Sequence, residues 1–534
     1  MKYNAQNSGE RYQRNILISG RGTYFNMSKE LSHDYGENYK SISERLRCKE
    51  SFDILERKLR VGEDGEIRMW FIDGFVKDSI MQRVMQFLLE LESLTPDAQE
   101  FIRANIPYVE VEVTSDEDKV ILAVLSGQTA ILGSTFGNTA VLVDTRSYPA
   151  RPTGEPDSDR VMQGSHDGFV ETLVFNTTLI RRRIRDPRLT MEYHNVGGAS
   201  NTDIVVCYMK GIADDGYVRE IGELIDRIKP RSLTLGFQSL AESMIRRKWY
   251  NPFPKIRTTE RPDTAAAQLM EGSVIVLCDT APQAMILPTS IFDFLQQTDD
   301  YYTPPLTGSY LRIVRMFSLI MSVILTPLWY LLLQYASVLP ERLRFLIPDT
   351  TGAFSILFQL LLAEIAIDVL KLASMNTPNM LSNSLSIIGA LILGDFAVSV
   401  GWLCEDVIFY MAVIAIANFA QHNNELGYAL KFMRIITLLL TAAFGLFGFI
   451  GGIVFTLVAV ATNRSINGKY SYLYPLIPWN SEAMGRLLLR RRKMDFDGIA
   501  ERDHATGSET GSGTGSDAGS ESGTDDGPGG NSDN

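Results

Sequence analysis

Three apolar runs between residues 312 and 462 place everything else in this chain relative to a membrane. Phe317 to Ser337 is broken only by Ser318, Ser322, Thr326, Pro327 and Gln334; Leu385 to Leu403 carries a single charge, Asp395; Ile435 to Thr462 carries none. A hydrocarbon core about 30 Å thick asks for about 20 apolar residues in a helix, and each run meets that length. The sequence therefore predicts an integral membrane protein.

The region before these runs has a different character. Met1 to Gly20 is rich in Asn, Gln and Arg without an apolar centre, so no secretory signal is read there and the amino-terminal region is expected on the side of synthesis. Cys48, Cys207, Cys278 and Cys404 show no Cys-x-x-Cys spacing, which argues against a zinc site or a disulfide framework. The formal charge is −12, and seven acidic residues follow Arg502 with no Lys or Arg among them. Acidity is thus largely a property of the tail and says little about a binding surface.

In chain order, Met1 to about Arg47 reads as a loose arm and Ser51 to Val61 as a short amphipathic helix. Ile67 to Val76 reads as a strand with a turn at Asp73-Gly74, and Asp78 to Leu94 as a helix. Val120 to Leu125 and Thr129 to Leu132 suggest a hairpin around Ser126-Gly127, and Thr139 to Asp144 a further strand. The breaker-rich stretch Arg146 to Gly168 separates this from a second α/β unit. That unit has a helix over Glu171 to Ile184, a strand over Ile204 to Met209, helices over Val218 to Ile228 and Leu240 to Trp249, and paired strands Ser273 to Leu277 and Ala284 to Leu287. Arg181, Arg182 and Arg183 are read as a solvated, dipole-favourable helix end, without a nucleic-acid partner.

The fold class expected is α/β plus membrane α-helical. Its divisions are an arm (1–47), a first α/β subdomain (48–150), a linker (151–170), a second subdomain (171–311), a transmembrane domain of about four to five helices (312–465), a basic juxtamembrane segment (466–503) and a disordered Gly/Ser/Asp tail (504–534). Spans are expected at 316–337, 384–403, 405–420 and 435–461. Arg312, Arg315 and the run from Arg486 to Lys493 put both ends in the cytoplasm, while Arg342, Arg344, Lys431 and Arg434 fall outside, against the usual bias.

Glu364, Asp368 and Lys371 fall on one face of a helix over 353–374. Three charges facing lipid are untenable, so this helix either lies in the interface, with an Asp368–Lys371 ion pair, or turns its stripe to an aqueous pore within a ring of copies. Asp395 either lines the same cation path or is neutralised by a partner or by protonation. Gly389, Gly394, Gly448 and Gly452 are small enough to let helices approach and are read as packing positions. Glu405 and Asp406 are read as an acidic turn.

Catalytic signatures are missing. The sequence has no Walker-type phosphate loop and no Gly-x-Ser-x-Gly, and its five His lack metal spacing. His166 and Asp167 are read as linker residues. No enzyme, cofactor or metal site is expected.

Several ordered motifs carry a specific likeness: Glu155-Pro156, Gly168-Phe169, the run Asn176 to Ile184, Tyr250-Asn251-Pro252-Phe253-Pro254, Glu260-Arg261-Pro262-Asp263, Glu271-Gly272 and Asp300-Tyr301-Tyr302. Together they resemble the A subunits of bacterial spore germinant receptors, the GerA family, from about residue 45 to 465. Asn376-Thr377-Pro378-Asn379 and Leu393-Gly394-Asp395-Phe396 depart from the nutrient-receptor pattern and are similar to a stage V sporulation branch of that family. The resemblance implies a subunit in the inner membrane of the spore that helps release ions during germination, beside a separate transporter-like B-type subunit. The functional expectation is a homo-oligomeric ion channel passing monovalent cations. The alternatives are a non-conducting signalling scaffold and a secondary transporter, the latter without the expected repeat in the membrane segments.

Overall fold

The computed structural model describes residues 29–63, 65–106, 110–148, 164–228, 236–245, 251–297, 299–348, 352–376, 389, 396–421, 423–463, 466 and 471–489. The predicted tail and most of the predicted arm, linker and 384–403 span lie outside these residues.

The first soluble unit runs α1 (Tyr35–Leu46), β1 (Ile54–Val61), β2 (Gly65–Ile72), α2 (Asp78–Glu90), α3 (Ala98–Asn105), β3 (Val111–Thr114), α4 (Glu117–Leu125), β4 (Thr129–Gly133) and β5 (Ala140–Val143). Its strands form an antiparallel sheet in the order β1-β2-β4-β5-β3. Along β4 the side chains alternate: Ala130 and Leu132 pack with Ile42, Leu46, Val120 and Val124 of α1 and α4, while Ile131 packs with Val84, Leu88 and Phe101 of α2 and α3. Burial on both faces makes β4 an unbroken apolar run rather than an alternating one.

Three local expectations are corrected here. The arm contains α1, capped by Asp34, whose side chain accepts from the Gly36 N–H. Ser51 to Val61 holds a strand, because β1 pairs with β2 from Ile54 opposite Ile72 to Val61 opposite Gly65. Val120 to Leu125 is helical, because Asp116 accepts from the Asp118 and Lys119 N–H groups and starts α4.

The second unit runs α5 (Leu173–Arg183), β6 (Leu189–Val196), β7 (Thr202–Met209), α6 (Asp215–Arg227), α7 (Phe237–Met244), β8 (Arg257–Thr259), α8 (Pro262–Met270), β9 (Val274–Cys278) and β10 (Ala284–Leu287). Its sheet order, β6-β7-β9-β10-β8, repeats that of the first unit strand for strand. Register repeats as well: Ile67 opposes Gly133 as Ile204 opposes Cys278, and Thr114 opposes Ala140 as Thr259 opposes Ala284. In each unit a buried Asn closes the same backbone clamp, Asn38 on Ser32 and Asn176 on Val170. The turns match too, with Gly74 and Gly211 at φ 80° and 81° and Gly127 and Gly272 at 94° and 92°. The soluble region is an internal duplication, and β6, β3, β8, α3 and α8 were not legible from periodicity.

After a buried turn at Ile291–Leu295 and a single helical turn, α9 (Asp299–Tyr302), come the apolar helices α10 (Pro305–Gln334), α11 (Ile356–Asn376), α12 (Glu405–Phe419) and α13 (Asn424–Thr462), then α14 (Ser481–Leu488). Among the described residues, α10 and α13 are long and apolar enough to cross a membrane. Yet α13 is two helices. Gly445 at φ 57°, ψ −131° breaks it, and the chain folds back so closely that a Cβ on Gly448 would fall 1.8 Å from the Leu440 carbonyl oxygen and one on Gly452 would fall 2.8 Å from Thr437 Cα. Gln334 Nε2 donates across 3.4 Å to the Thr441 carbonyl, which a continuous helix would commit to the Gly445 N–H. The expected single crossing over 435–461 is therefore a helical hairpin with Gly445 at its tip.

Contacts fix the two ends of the bundle. At the end nearest the soluble units, Asn251 Nδ2 donates to Ala459 O at 3.0 Å, Asn463 Nδ2 to Pro254 O at 3.4 Å, and Lys371 Nζ to Asn424 Oδ1 at 3.0 Å. At the far end Tyr335 abuts Gly445, and Ala353 N–H donates to Gly401 O at 2.9 Å.

Candidate functional site

Two residues one turn apart on α11, Glu364 and Asp368, face two residues nearly one turn apart on the first half of α13, Lys431 and Arg434. Arg434 Nη2 lies 2.6 Å from Glu364 Oε1, and its Nη1 donates to Ser322 O of α10 at 2.6 Å. Lys431 Nζ bridges, bonded to the Asp368 carboxylate, donating to Glu364 O at 3.1 Å and lying 3.4 Å from Glu364 Oε2. Arg434, Glu364 and Lys431 are buried at 1%, 4% and 7% exposure, while the Asp368 side chain keeps 35%.

A charge in hydrocarbon costs about 2.5 to 3.5 kcal/mol on the lenient insertion scale, so four isolated charges here would be prohibitive. Two carboxylates against two cations are neutral as a set, and each charge has a hydrogen-bonded partner. Lys371 adds a fifth charge outside that balance, bonded to Asn424 and 5.0 Å over the Tyr428 ring. The interfacial alternative pairs Asp368 with Lys371; the structure gives Asp368 to Lys431. The expected topology also counts Lys431 and Arg434 as charges outside the membrane, whereas both are buried helix residues and drop out of the charge bias. What the arrangement does physically is clamp α10, α11 and α13 together through a charged layer among apolar helices.

The other predicted positions are placed as follows. Gly389 approaches α11 so closely that a Cβ would lie 2.6 Å from Leu370 Cδ1. Gly448 and Gly452 face the other half of their own hairpin. Asp395 and Gly394 lie outside the described residues. Glu405 and Asp406 form the first turn of α12, where carboxylates suit the helix dipole.

A second charged joint, missed by the sequence reading, ties the soluble units to the bundle. Asp300 of α9 is fully buried and takes both Arg312 (Nε to Oδ2, 3.2 Å) and Arg315 (Nη1 to Oδ2, 2.9 Å) of α10. Arg315 also donates to Leu295 O at 2.5 Å, and Arg312 to Leu487 O at 3.3 Å. Burial pushes the neighbouring Tyr301 phenol up. The two arginines read only as topology-setting charges before the first span are thus buried and paired, and the signal that would have found this is their spacing on one face of α10 after a lone acidic turn.

Duplicated α/β units joined by buried ion pairs to a bundle of apolar helices define a class of protein with a soluble tandem module welded to a membrane-type helical domain. The chain belongs to the family described as Bacillus/Clostridium GerA spore germination protein, whose family model matches residues 41–498. It is 34% identical to Stage V sporulation protein AF of Bacillus subtilis (strain 168), over 86% of this chain and 92% of that protein. It is 26% identical to Spore germination protein KA of the same organism, over 87% and 85%. Among solved structures, the N-terminal domain of the A subunit of the Bacillus megaterium spore germinant receptor GerK3 aligns at 23% identity with a TM-score of 0.37, over 49% of this chain and 98% of that chain.

Proposed function

We propose that this chain is a membrane subunit of a homo-oligomeric complex that conducts monovalent cations and promotes ion release during bacterial spore germination. The observation that carries the reading is the charged layer: Glu364, Asp368, Lys371, Lys431 and Arg434 sit in helices whose only other charge among the described residues is Glu425 in the first turn of α13, and ionisable groups within membrane helices commonly mark ion pathways. Asp368 and Lys371, both half-exposed on the open side of α11, line the path. Glu364 and Arg434 hold the helix that carries them. In this reading α10, α11, α12 and both halves of α13 cross the inner membrane of the spore. With the span expected at 384–403, the soluble units and the carboxyl-terminal tail share the cytoplasmic, spore-core side. A transporter-like B-type subunit is the expected partner.

A second reading, a non-conducting signalling scaffold, is favoured by one observation: all four central charges are already paired within a single chain. Potassium efflux from proteoliposomes separates the two. The purified full chain, with and without its B-type partner, is compared with Asp368→Asn and Lys371→Gln. A change in efflux rate or ion preference supports a path along α11; folded oligomers that pass no ions even with the partner leave the scaffold.

A further inference from the structure

The duplication leaves one docking surface unused on each soluble unit. Within the chain, unit 1 presents the segment Ser51–Asp53 and the turn at Gly74, and unit 2 receives them on α5 and the start of β6. Phe52 N–H donates to Met191 O at 3.1 Å, Met191 N–H to Ser51 Oγ at 3.2 Å, and Arg181 grips Asp53 at 2.8 Å. Gly74 is so close to α5 that a Cβ would fall 2.5 Å from Thr178 Oγ1.

Each surface has a counterpart in the other repeat, and both counterparts are open. On unit 1 the receiving surface becomes α1 and the start of β1. Thr178 and Arg181, both buried, correspond to exposed Lys40 and half-buried Ser43, while Thr190 and Met191, both buried, correspond to exposed Leu55 and Glu56. Glu56 opposes Trp70 as Met191 opposes Cys207, so its N–H and C=O turn outward on the sheet edge as those of Met191 do. On unit 2 the presenting surface becomes Asp186–Arg188 and the turn at Gly211, where a Cβ would meet nothing within 4 Å.

We infer that copies of this chain join head to tail through these two surfaces, Asp186–Arg188 and Gly211 of one copy docking on α1 and the edge of β1 of the next. The inference rests on the homo-oligomer reading and names its interface. One chain cannot make this contact with itself, since unit 1 would have to flank unit 2 on both sides. The contact is heterologous, and copies held in one membrane share their orientation, so repetition is confined to rotation about the membrane normal and closes a ring rather than growing a filament. Its chemistry differs from the internal joint. Arg188 takes the place of Asp53 and approaches Glu56, while Asp186 approaches Lys40, giving a polar, charge-matched and salt-sensitive contact.

The test uses the full chain in detergent with Cys48→Ser. Glu56→Cys with Pro187→Cys is expected to give a ladder of disulfide-linked multimers, whereas Phe52→Cys with Met191→Cys links within one chain and reports that the geometry is competent. Separately, Arg188→Glu is expected to lower association about tenfold, the loss that roughly 1.4 kcal/mol produces, and Glu56→Arg in the same chain is expected to restore it. A chain that light scattering and lysine cross-linking both find monomeric overturns the oligomer reading and this interface with it. Multimers that form while the thiols introduced at positions 56 and 187 stay unlinked overturn the interface alone.

Discussion

Arg434 holds Glu364 through Nε, which donates to Oε1 at 2.6 Å, while Nη2 lies equally close to that oxygen without making a hydrogen bond, inside a bundle of apolar helices. Removing one partner of such a buried pair leaves a bare charge, at a cost of about 3 to 5 kcal/mol, whereas replacing both with apolar residues removes the penalty along with the attraction. Glu364→Leu and Arg434→Leu are each expected to lower the melting temperature of the detergent-solubilised chain strongly. The double variant is expected to recover most of the loss. Singles that melt like wild type, or a double as damaged as the sum of the singles, would show that the pair carries no stabilising role.

Gly445 makes a second prediction, about topology. Its φ of 57° with ψ of −131° is a backbone region in which a side chain costs about 1 to 3 kcal/mol, so Gly445→Ala is expected to destabilise the hairpin by that order. The hairpin also places Glu425 and Thr462 at one end of the bundle and Phe447 near the other, so in the proposed topology they face opposite sides of the membrane. A straight helix of 39 residues would be about 58 Å long and would separate Glu425 from Thr462. Single cysteines at 425 and 462 should react with an impermeant maleimide from the same face of sealed vesicles, and one at 447 only from the opposite face. Labelling of 425 and 462 from opposite faces would refute the reversal.

The apolar runs and the α/β alternation were legible in the sequence because long periodic segments reveal themselves locally. The errors came where local pattern and tertiary context diverge. Val120 to Leu125 is an unbroken apolar run, buried at every position but Leu122, which fits a strand or a helix equally, and only Asp116 as a cap distinguishes them. In and just before β1, Phe52, Leu55 and Leu59 recur at helical spacing, because an edge strand with charged Glu56, Arg57 and Lys58 shows no clean alternation. The duplication was hidden because its docking positions diverged, Ser43 for Arg181 and Glu56 for Met191, while its markers, Asn38 with Asn176 and Gly74 with Gly211, are single residues. The partners of Glu364 and Asp368 were equally hidden: matching spacings on α11 and α13 suggest a pairing, but which helices touch is a property of the packed bundle.

The joint between the soluble units turns on Arg181, fully buried, with Asp53, Ser51 Oγ and the Asp186 and Leu189 carbonyls around it. Arg181→Lys keeps the charge and loses the planar fork that reaches these acceptors together, so it is expected to fail nearly as badly as Arg181→Ala. Deuterium exchange should report this at the Phe52 and Met191 amides, which become exposed when the joint opens. If Arg181→Lys leaves both amides as protected as in wild type, the forked hydrogen bonding is not what holds the units.

Asp167 supplies the pH dependence. Burial pushes its carboxyl up, but the Arg183 guanidinium and the Ser165 hydroxyl outweigh burial and hold it below the ordinary carboxylate range. Because the folded value lies below the unfolded one, the stabilisation is complete above the unfolded value of about 3.9 and is lost as the pH falls through the lower folded value. This pair tethers Ser165 to Asp167 onto the end of α5, and charge-assisted bonds of this kind contribute about 2 kcal/mol. Asp167→Asn is therefore expected to be less stable than wild type at pH 7 by that order, with the gap closing as the pH is taken below 4. Melting curves of both chains from pH 7 to pH 3 decide it: a gap that persists unchanged at pH 3 would mean that Asp167 stabilises the segment through its shape rather than its charge.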